Sequence, residues 1–128
     1  MSVKVLVLLS TYNGSEYIVE QLESILAQYF EGELNVLIRD DGSSDDTLDK
    51  IYGLREPRIE VIHGDNVGIK SSYMTLIELA RERPVDYYAF ADQDDFWLPS
   101  KIQRAVFVLM KKKRPALYCS ALNLVNET

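Results

Sequence analysis

Three carboxylates stand close together in the second half of the chain. Asp92, Asp94 and Asp95 follow an apolar run at residues 88–91 and precede two aromatic residues. Ionised groups placed beside hydrophobic neighbours repel one another and lose hydration. A divalent cation removes that cost, and Mg²⁺ or Mn²⁺ prefers carboxylate oxygens, with phosphates of a ligand completing its coordination. The spacing therefore favours a metal site over the alternative, a solvated acidic turn that caps the next helix.

A second acidic loop, at residues 40–43, suits a different task. A carboxylate between a strand and a glycine turn can accept a hydrogen bond from a ribose hydroxyl or from a base N–H. Capping of the following helix is the alternative, and we predict that role for Ser44, Asp45 and Asp46. Asp41 is the acid of this loop that we assign to ligand binding.

Two further loops offer polar groups after apolar runs. Tyr12 has a flat ring on which a base can stack, and it lies between Thr11 and Asn13. Asn66 and Gly68 follow the third apolar run. Simple turn formation is the alternative for the asparagines and the glycine, because both residue types are common in turns.

The elements that must position these loops alternate along the chain. Apolar runs of strand length are separated by segments with helical spacing, of which the first continues to Tyr29, and Pro99 suits the first turn of the last. Strict alternation predicts an α/β fold with a mostly parallel sheet and helices on both faces. Ligands of such sheets lie beyond the carboxyl ends of the strands. The predicted strands are 4–9, 34–38, 59–62, 87–91 and 116–121.

Composition narrows the classes of ligand. The net charge of −6 opposes nucleic-acid binding, whereas a small phosphorylated ligand can still be bound by a metal ion or by backbone amides.

The single cysteine, Cys119, excludes an intrachain disulfide and a cysteine-based metal site, and it favours a reducing cytoplasm. The apolar run at residues 5–9 is too short to span a membrane.

Together the four loops resemble the inverting family-2 glycosyltransferases with the GT-A fold. The matching segments read STYNG at 10–14, RDDGSSDDT at 39–47, NVG at 66–68 and FADQDD at 90–95. Each segment is weak alone, but the four occur in the family's order and spacing over most of the chain. The last segment, with Lys101 beyond it, is most similar to the bacterial rhamnosyltransferase-type members.

The resemblance implies a function and a set of ligand contacts. Residues 1–128 would form one nucleotide-sugar-binding domain of an enzyme that needs Mn²⁺ or Mg²⁺. That enzyme would transfer a sugar, with inversion, from a UDP- or dTDP-sugar to a saccharide or lipid-linked saccharide acceptor in cell-surface polysaccharide synthesis. Asp92 would face the ribose, and Asp94, with Asp92, would bind the metal. The implied donor contacts are Thr11, Tyr12, Asn13, Asp40, Asp41, Asn66, Gly68 and Asp92.

No residue of this sequence is a candidate for the general base that deprotonates the acceptor. In the family this base is a carboxylate in a later segment, so we expect it beyond Thr128. The chain would then be the N-terminal part of a longer glycosyltransferase and inactive alone.

Two alternatives remain for the function. One is a non-catalytic nucleotide-sugar-binding module. The other is a nucleotidyltransferase, disfavoured because residues 10–14 carry no positive charge. The expected location is the cytoplasm, with peripheral association at the inner face of the plasma membrane left open.

Overall fold

Strands and helices alternate through the computed structural model, which describes residues 2–92 and 95–112. Runs rich in leucine and β-branched residues form the strands, and residues with an apolar stripe at helical spacing form the helices. In chain order the elements are β1 Lys4–Thr11, α1 Ile18–Leu26, β2 Glu33–Asp41, α2 Thr47–Gly53, β3 Ile59–Gly64, α3 Ile69–Ala80, β4 Tyr87–Ala91 and α4 Lys101–Leu109.

The four strands form one parallel sheet in the order β3-β2-β1-β4. Thr11 at the end of β1 pairs with Asp40 of β2, and Asp41 pairs with Gly64 at the end of β3. Because the strands run in one direction, their carboxyl ends lie at the same edge of the sheet, where ligands of such folds bind. The predicted parallel arrangement is confirmed.

Apolar side chains cover both faces of the sheet. Val5, Val7 and Leu9 of β1 pack in a layer with α1, α2 and α4, whereas Leu6 and Leu8 face α3. This division follows from the pleat of a strand, in which successive side chains point to opposite faces. Helices on both faces confirm the predicted α/β class.

Three strands extend further than their apolar runs predicted, and β3 runs to Gly64 rather than ending at residue 62. β1 continues to Thr11 rather than ending at residue 9, and β2 continues to Asp41 rather than ending at residue 38. The reason is that parallel pairing persists through the polar residues, with Ser10 beside Arg39 and Asp41 beside Gly64. Several residues that looked like loop residues therefore belong to strand ends, where the sheet fixes their backbone.

Two helix boundaries also differ from prediction. α1 ends at Leu26, so Tyr29 lies beyond it with an exposed side chain. The amide of Tyr29 donates instead to the carbonyl of Pro99, at 2.7 Å. Pro99 itself lies in a turn, and α4 begins at Lys101. The segments after α1 and before α4 bind each other, and this contact replaces a continuation of either helix.

Some predictions concern residues outside the described ranges. The predicted strand at 116–121 and Cys119 fall there, as does Asp94 of the acidic loop. Thr128, beyond which we expect the general base, also lies outside them, so the position of that base stays a prediction. In the part of the chain that the structure describes, no helix is both long enough and apolar enough to cross a membrane.

Candidate functional site

Four loops follow the four strands at the carboxyl edge of the sheet. The first loop is residues 12–17, the second 42–46, the third 65–68 and the fourth 92–100, of which 92 and 95–100 are described. Every predicted donor contact lies in one of these loops or in the last two residues of the preceding strand. The common direction of the strands lets side chains from all four loops approach one ligand.

Asn13 ties the first loop to the second. Its side-chain carbonyl accepts the amide of Ser44 at 2.8 Å, and its own amide donates to the hydroxyl of Ser43 at 2.8 Å. The next amide, from Gly14, donates to the hydroxyl of Thr47 at 2.9 Å. Asn13 has a φ of 48°, a left-handed conformation that asparagine tolerates better than most residues. These bonds fix the first loop against the start of α2.

Asp40 closes the turn at the end of β2. Its carboxylate is buried and accepts the amide of Ser43 at 2.9 Å and the hydroxyl of the same residue at 2.6 Å. Such a local bond from an aspartate to the backbone is a common way to stabilise a turn. The structure therefore gives Asp40 a definite part in shaping the second loop.

Asp46 occupies the cap position of α2 but makes no side-chain capping bond, and of the three residues predicted to cap the helix only Asp45 binds its first amide. The Asp45 carboxylate accepts the amide of Thr47 at 3.0 Å and also its hydroxyl, and the hydrogen bond from that hydroxyl is the main cause that lowers the pKa of Asp45. Asp46 accepts the hydroxyl of Ser15, and the Ser44 amide binds Asn13. α2 begins only at Thr47, because the preceding residues are used to join the first and second loops.

Asp41 joins the second loop to the third. Its buried carboxylate accepts the amide of Val67 at 2.9 Å, the amide of Gly68 at 3.0 Å and the guanidinium of Arg39 at 2.6 Å. Asn66 donates its side-chain amide to the backbone carbonyl of Asp41 at 3.0 Å. Burial alone would raise the pKa of Asp41, but the hydrogen bonds from Val67, Arg39 and Gly68 outweigh it and lower the pKa.

Tyr12 is the aromatic side chain at the start of the first loop. It is 46% exposed, whereas Thr11 before it is fully buried. A ring with nearly half of its surface exposed at the ligand-binding edge has room to stack on a base. Tyr12 thus lies partly exposed at this edge and Thr11 is buried within it, and the stacking role of Tyr12 stays a prediction.

Asp92 opens the fourth loop with an exposed side chain. Its amide donates to the carboxylate of Asp95 at 3.2 Å, and the amide of Asp95 returns to the carbonyl of Asp92 at 3.1 Å. Among residues 2–92 and 95–112, no group of three potential ligand side chains is arranged to hold a metal ion. A cation with phosphate partners needs only one or two carboxylates, so the exposed oxygens of Asp92 fit Mg²⁺ or Mn²⁺.

Two side chains hold the start of the fourth loop from opposite faces of the sheet. Gln21 of α1 donates to the carbonyl of Asp92, and Tyr73 of α3 donates its hydroxyl to the carbonyl of Ala91. Burial, reinforced by nearby carboxylates, raises the pKa of Tyr73 to about 12, so the hydroxyl keeps its proton. Sequence analysis missed Gln21, although its position three residues after Ile18 lies within the buried stripe of the helix.

α1 and the segment after it also hold the rest of the fourth loop and the start of α4. The hydroxyl of Ser24 accepts a hydrogen bond from the amide of Trp97 at 3.0 Å. The side chain of Gln28 accepts a hydrogen bond from the amide of Ile102 at 2.9 Å and donates one to the carbonyl of Leu98 at 2.7 Å. Gln21 and Ser24, three positions apart, lie on one side of α1, and Gln28 follows the end of the helix. Polar residues on a largely buried helix face were the sequence signal for these contacts.

The structure thus collects most of the predicted donor residues into two groups. Asn13, Asp40, Asp41, Asn66 and Gly68 belong to the hydrogen-bonded cluster that joins the first three loops. Asp92 is held at the same edge of the sheet by separate contacts to α1 and within its own loop.

Known protein families provide the decisive comparison. The sequence profile of Glycosyl transferase family 2 matches residues 6–122, which is most of the chain and includes all four loops. The chain belongs to Glycosyl transferase family 2. The resemblance inferred from the loop motifs is therefore confirmed, and the cluster at the carboxyl edge is the corresponding edge of a family-2 domain.

Individual family-2 relatives are much longer than this chain. The dTDP-rhamnosyl transferase RfbG of Shigella flexneri is 35% identical over 107 residues, covering 80% of this chain and 37% of that protein. The Escherichia coli protein WfaP is named UDP-Glc:alpha-D-GlcNAc-diphosphoundecaprenol beta-1,3-glucosyltransferase. It is 30% identical over 108 residues, covering 84% of this chain and 41% of WfaP. The chain therefore spans well under half the length of the relatives that it matches.

A solved glycosyltransferase structure has the same fold. The crystal structure of S. aureus TarS 1-349 in complex with UDP-GlcNAc superposes with a TM-score of 0.71 and 27% identity, covering 84% of this chain and 31% of that one. Together with the parallel sheet and its two helical layers, this likeness establishes the GT-A fold for the family-2 chain.

Proposed function

We propose that this chain is the donor-binding part of an inverting, metal-dependent glycosyltransferase. Its donor would be a UDP- or dTDP-sugar, and its acceptor a saccharide or lipid-linked saccharide used in cell-surface polysaccharide synthesis. The observation that carries this proposal is the convergence of four polar loops at the carboxyl edge of a family-2 domain. The proposal assigns donor binding to residues 1–128 and the general base to a segment beyond Thr128 in a longer enzyme.

The names of the relatives support this choice of donor and acceptor. RfbG is named for a dTDP-rhamnosyl donor, WfaP for UDP-Glc and a diphosphoundecaprenol acceptor, and the TarS structure holds UDP-GlcNAc. All three names fit a pyrimidine nucleotide, and one fits a lipid-linked acceptor. Because a lipid-linked acceptor resides at a membrane, the proposal includes a cytoplasmic protein that works at the inner face of the plasma membrane.

On the nucleoside side we assign the base to Tyr12 and to the cluster beside it. The exposed ring of Tyr12 is available for stacking, and Thr11 and Asn13 flank it. Asp41 keeps its negative charge at neutral pH, and its buried carboxylate already accepts hydrogen bonds from Arg39, Asn66, Val67 and Gly68. Its proposed contact to the base or the ribose would therefore replace one of these partners. The other proposed donor contacts are Asp40, Asn66 and Gly68, which shape the pocket through the bonds between the loops.

On the phosphate side we assign the ribose and the metal to the acidic loop. Asp92 would contact the ribose and share the cation with Asp94, which lies outside the described residues. A bound Mn²⁺ or Mg²⁺ supplies positive charge that stabilises a departing diphosphate. Gln21 and Tyr73 hold the backbone of this loop, so the Asp92 carboxylate stays oriented toward the edge of the sheet.

Inversion follows if the acceptor attacks from the side opposite the nucleotide. The four loops would grip the nucleoside and the diphosphate, leaving the far side of the sugar for the acceptor and its base. A general base must lie within hydrogen-bonding distance of the hydroxyl that it deprotonates. Donor binding, rather than turnover, is therefore the activity that this chain can be tested for.

Calorimetric titration of UDP and dTDP, with and without Mn²⁺, tests the proposal. We expect binding of at least one nucleotide that strengthens with Mn²⁺ and weakens to the metal-free level in Asp94→Asn. The change removes a charged ligand while keeping nearly the same volume, so a loss of the metal effect reports on coordination. The direct comparison of UDP with dTDP identifies the preferred nucleotide.

Asp49→Asn is the matched control, because Asp49 is an exposed aspartate in α2, away from the acidic loop. It should bind nucleotide and respond to Mn²⁺ as the wild type does. If the unaltered protein binds neither nucleotide with or without Mn²⁺, the proposed donor-binding function is wrong for this chain. If it binds equally well without metal, the metal-dependent part of the proposal is wrong.

A further inference from the structure

Arg39 is a buried arginine on β2, only 6% exposed, and the donor-site assignment above gives it no role. Its guanidinium makes three contacts to different parts of the chain. Nη1 donates to the carboxylate of Asp41 at 2.6 Å and to the hydroxyl of Ser72 at 2.9 Å, and Nη2 donates to the carbonyl of Asp65 at 3.1 Å. A buried charge is retained only where such partners compensate its lost hydration.

The partners of Arg39 lie on three different elements. Asp41 ends β2, Asp65 begins the third loop, and Ser72 lies in the first turn of α3. Ser72 also accepts a hydrogen bond from Ser10 of β1 at 2.6 Å. One guanidinium therefore connects β2 with the third loop and the helix that follows it, and Ser72 extends the network to β1.

The sequence leaves space for this guanidinium at one specific position. Gly64 ends β3, and a Cβ atom placed there would lie 2.0 Å from Nη2 of Arg39. A side chain at residue 64 would therefore displace the guanidinium from this position. The glycine is thus one condition for the contact between Arg39 and the third loop.

The third loop is linked to Arg39 through the carboxylate of Asp41. The amides of Val67 and Gly68 donate to the two oxygens of the Asp41 carboxylate, and Arg39 donates to the oxygen that also accepts the Val67 amide. Gly68 is also the residue that precedes α3. Arg39 thus contacts the third loop directly at Asp65, and it also contacts the carboxylate that accepts the two amides of that loop.

We propose that Arg39 is a positioning residue for donor binding, which fixes Asp41 and the third loop as one rigid unit although it does not contact the nucleotide. This inference rests on the proposed function for its ligand. Its structural part stands independently, because the contacts of Arg39 to Asp41 and Asp65 exist without any donor. Lysine cannot substitute, since a single ammonium does not reproduce the planar fork that reaches Ser72, Asp41 and Asp65 together.

Amide hydrogen exchange followed by NMR tests the structural part. In Arg39→Lys we expect exchange of the Val67 and Gly68 amides to rise about tenfold or more, because their acceptor loses its anchor. Central amides of β1 and β2 should rise much less. In Arg39→Met the exchange of the Val67 and Gly68 amides should rise further. Arg39→Lys keeps a positive charge beside Asp41, so it serves as the variant that retains the fold.

Arg83→Lys is the matched control, because Arg83 forms a 2.9 Å ion pair with Glu60 at the opposite edge of the sheet. It should leave exchange in the third loop unchanged. Titration of UDP and dTDP into the same proteins then tests the consequence. We expect about tenfold weaker binding in Arg39→Lys and unchanged binding in Arg83→Lys.

The outcomes separate this inference from the proposed function. Unchanged exchange at Val67 and Gly68 in Arg39→Lys, or a uniform rise over the whole sheet, would overturn the positioning role. A loop-specific rise with unchanged nucleotide affinity would also overturn it, because the loop would then not matter for the donor. If the wild type binds no nucleotide, the proposed function fails, and the exchange measurement still decides whether Arg39 anchors the third loop.

Discussion

Gly42 shows at the scale of one residue how the second and third loops fit together. Its φ is 77°, and a Cβ atom there would lie 2.9 Å from the backbone nitrogen of Asn66. Both the left-handed conformation and the close approach oppose any other residue. We therefore expect Gly42→Ala to lower the free energy of unfolding by about 1–3 kcal/mol, measured by urea denaturation.

Gly53→Ala is the internal control for that measurement. Gly53 ends α2, and a Cβ atom there meets nothing within 4 Å. Because alanine reduces the freedom of the unfolded chain, this variant should be more stable by about 0.4–1 kcal/mol. If both variants lose stability equally, the cost at Gly42 does not come from its turn or from Asn66.

Asp41 and Arg39 differ in how far their roles could be predicted from the sequence. Asp41 could be selected from the sequence because an acid between a strand and a glycine turn is unusual. Arg39 could not, since its partners Asp65 and Ser72 are 26 and 33 positions away and become neighbours only through the fold. Sequence pattern reveals local chemistry, whereas buried polar contacts between distant segments appear only in three dimensions.

At the scale of elements, α1 acts as a polar support for the fourth loop as well as an apolar layer. The Ser24 hydroxyl is buried and accepts the amide of Trp97, while it donates to the carbonyl of Gln21. We expect Ser24→Ala to lower the free energy of unfolding by about 1–3 kcal/mol, because the Trp97 amide is left without this acceptor. Hydrogen exchange of the Trp97 amide should rise more than exchange within β1.

Thr75→Ala provides the comparison, because the hydroxyl of Thr75 is exposed and binds only the carbonyl of Ser71 in its own helix among the contacts described. Its effect should stay within about 0.5 kcal/mol. A Ser24→Ala protein as stable as Thr75→Ala, with unchanged exchange at Trp97, would contradict the supporting role of α1.

Elements were predicted better than their ends. The order of strands and helices followed from the change of apolar period, because each element buries a face of its own period. The ends were missed at Tyr29 and Pro99, where the two segments bind each other, and at Asp41, where β2 continues by pairing with β3. Ends are decided by contacts with other segments, which periodicity does not contain.

At the scale of the whole molecule, the sheet has two unlike edges. The carboxyl edge carries the four polar loops, with buried charges such as Arg39 and Asp41. The amino edge carries short connections and partly exposed pairs such as Arg83 with Glu60. This division follows from parallel topology, so the location of the site could be predicted before the contacts within it were known.

Two carboxylates of the carboxyl edge, the buried Asp41 and the exposed Asp45, should also shape the acid stability of the domain. The pKa of Asp41 and that of Asp45 are lowered from 3.8 in the folded protein. A lowered folded pKa means that the folded state binds protons less readily than the unfolded state. The stabilisation is therefore fully present above the unfolded pKa, and it is lost as the pH falls through the folded pKa.

Asp41→Asn tests this expectation. At pH 7 the variant should be less stable by about 3–5 kcal/mol, because it leaves the buried charge of Arg39 without its partner. Below pH 3.8 the difference should shrink, because the unfolded wild type binds a proton at Asp41 before the folded wild type does, and this lowers the stability of the wild type. Urea denaturation at several pH values between 7 and 2.5 measures both quantities. Glu82→Gln, at an exposed position, is the control and should have the stability of the wild type at every pH. If the difference in unfolding free energy between the wild type and Asp41→Asn does not narrow in acid, the ion pair does not control the loss of stability at low pH.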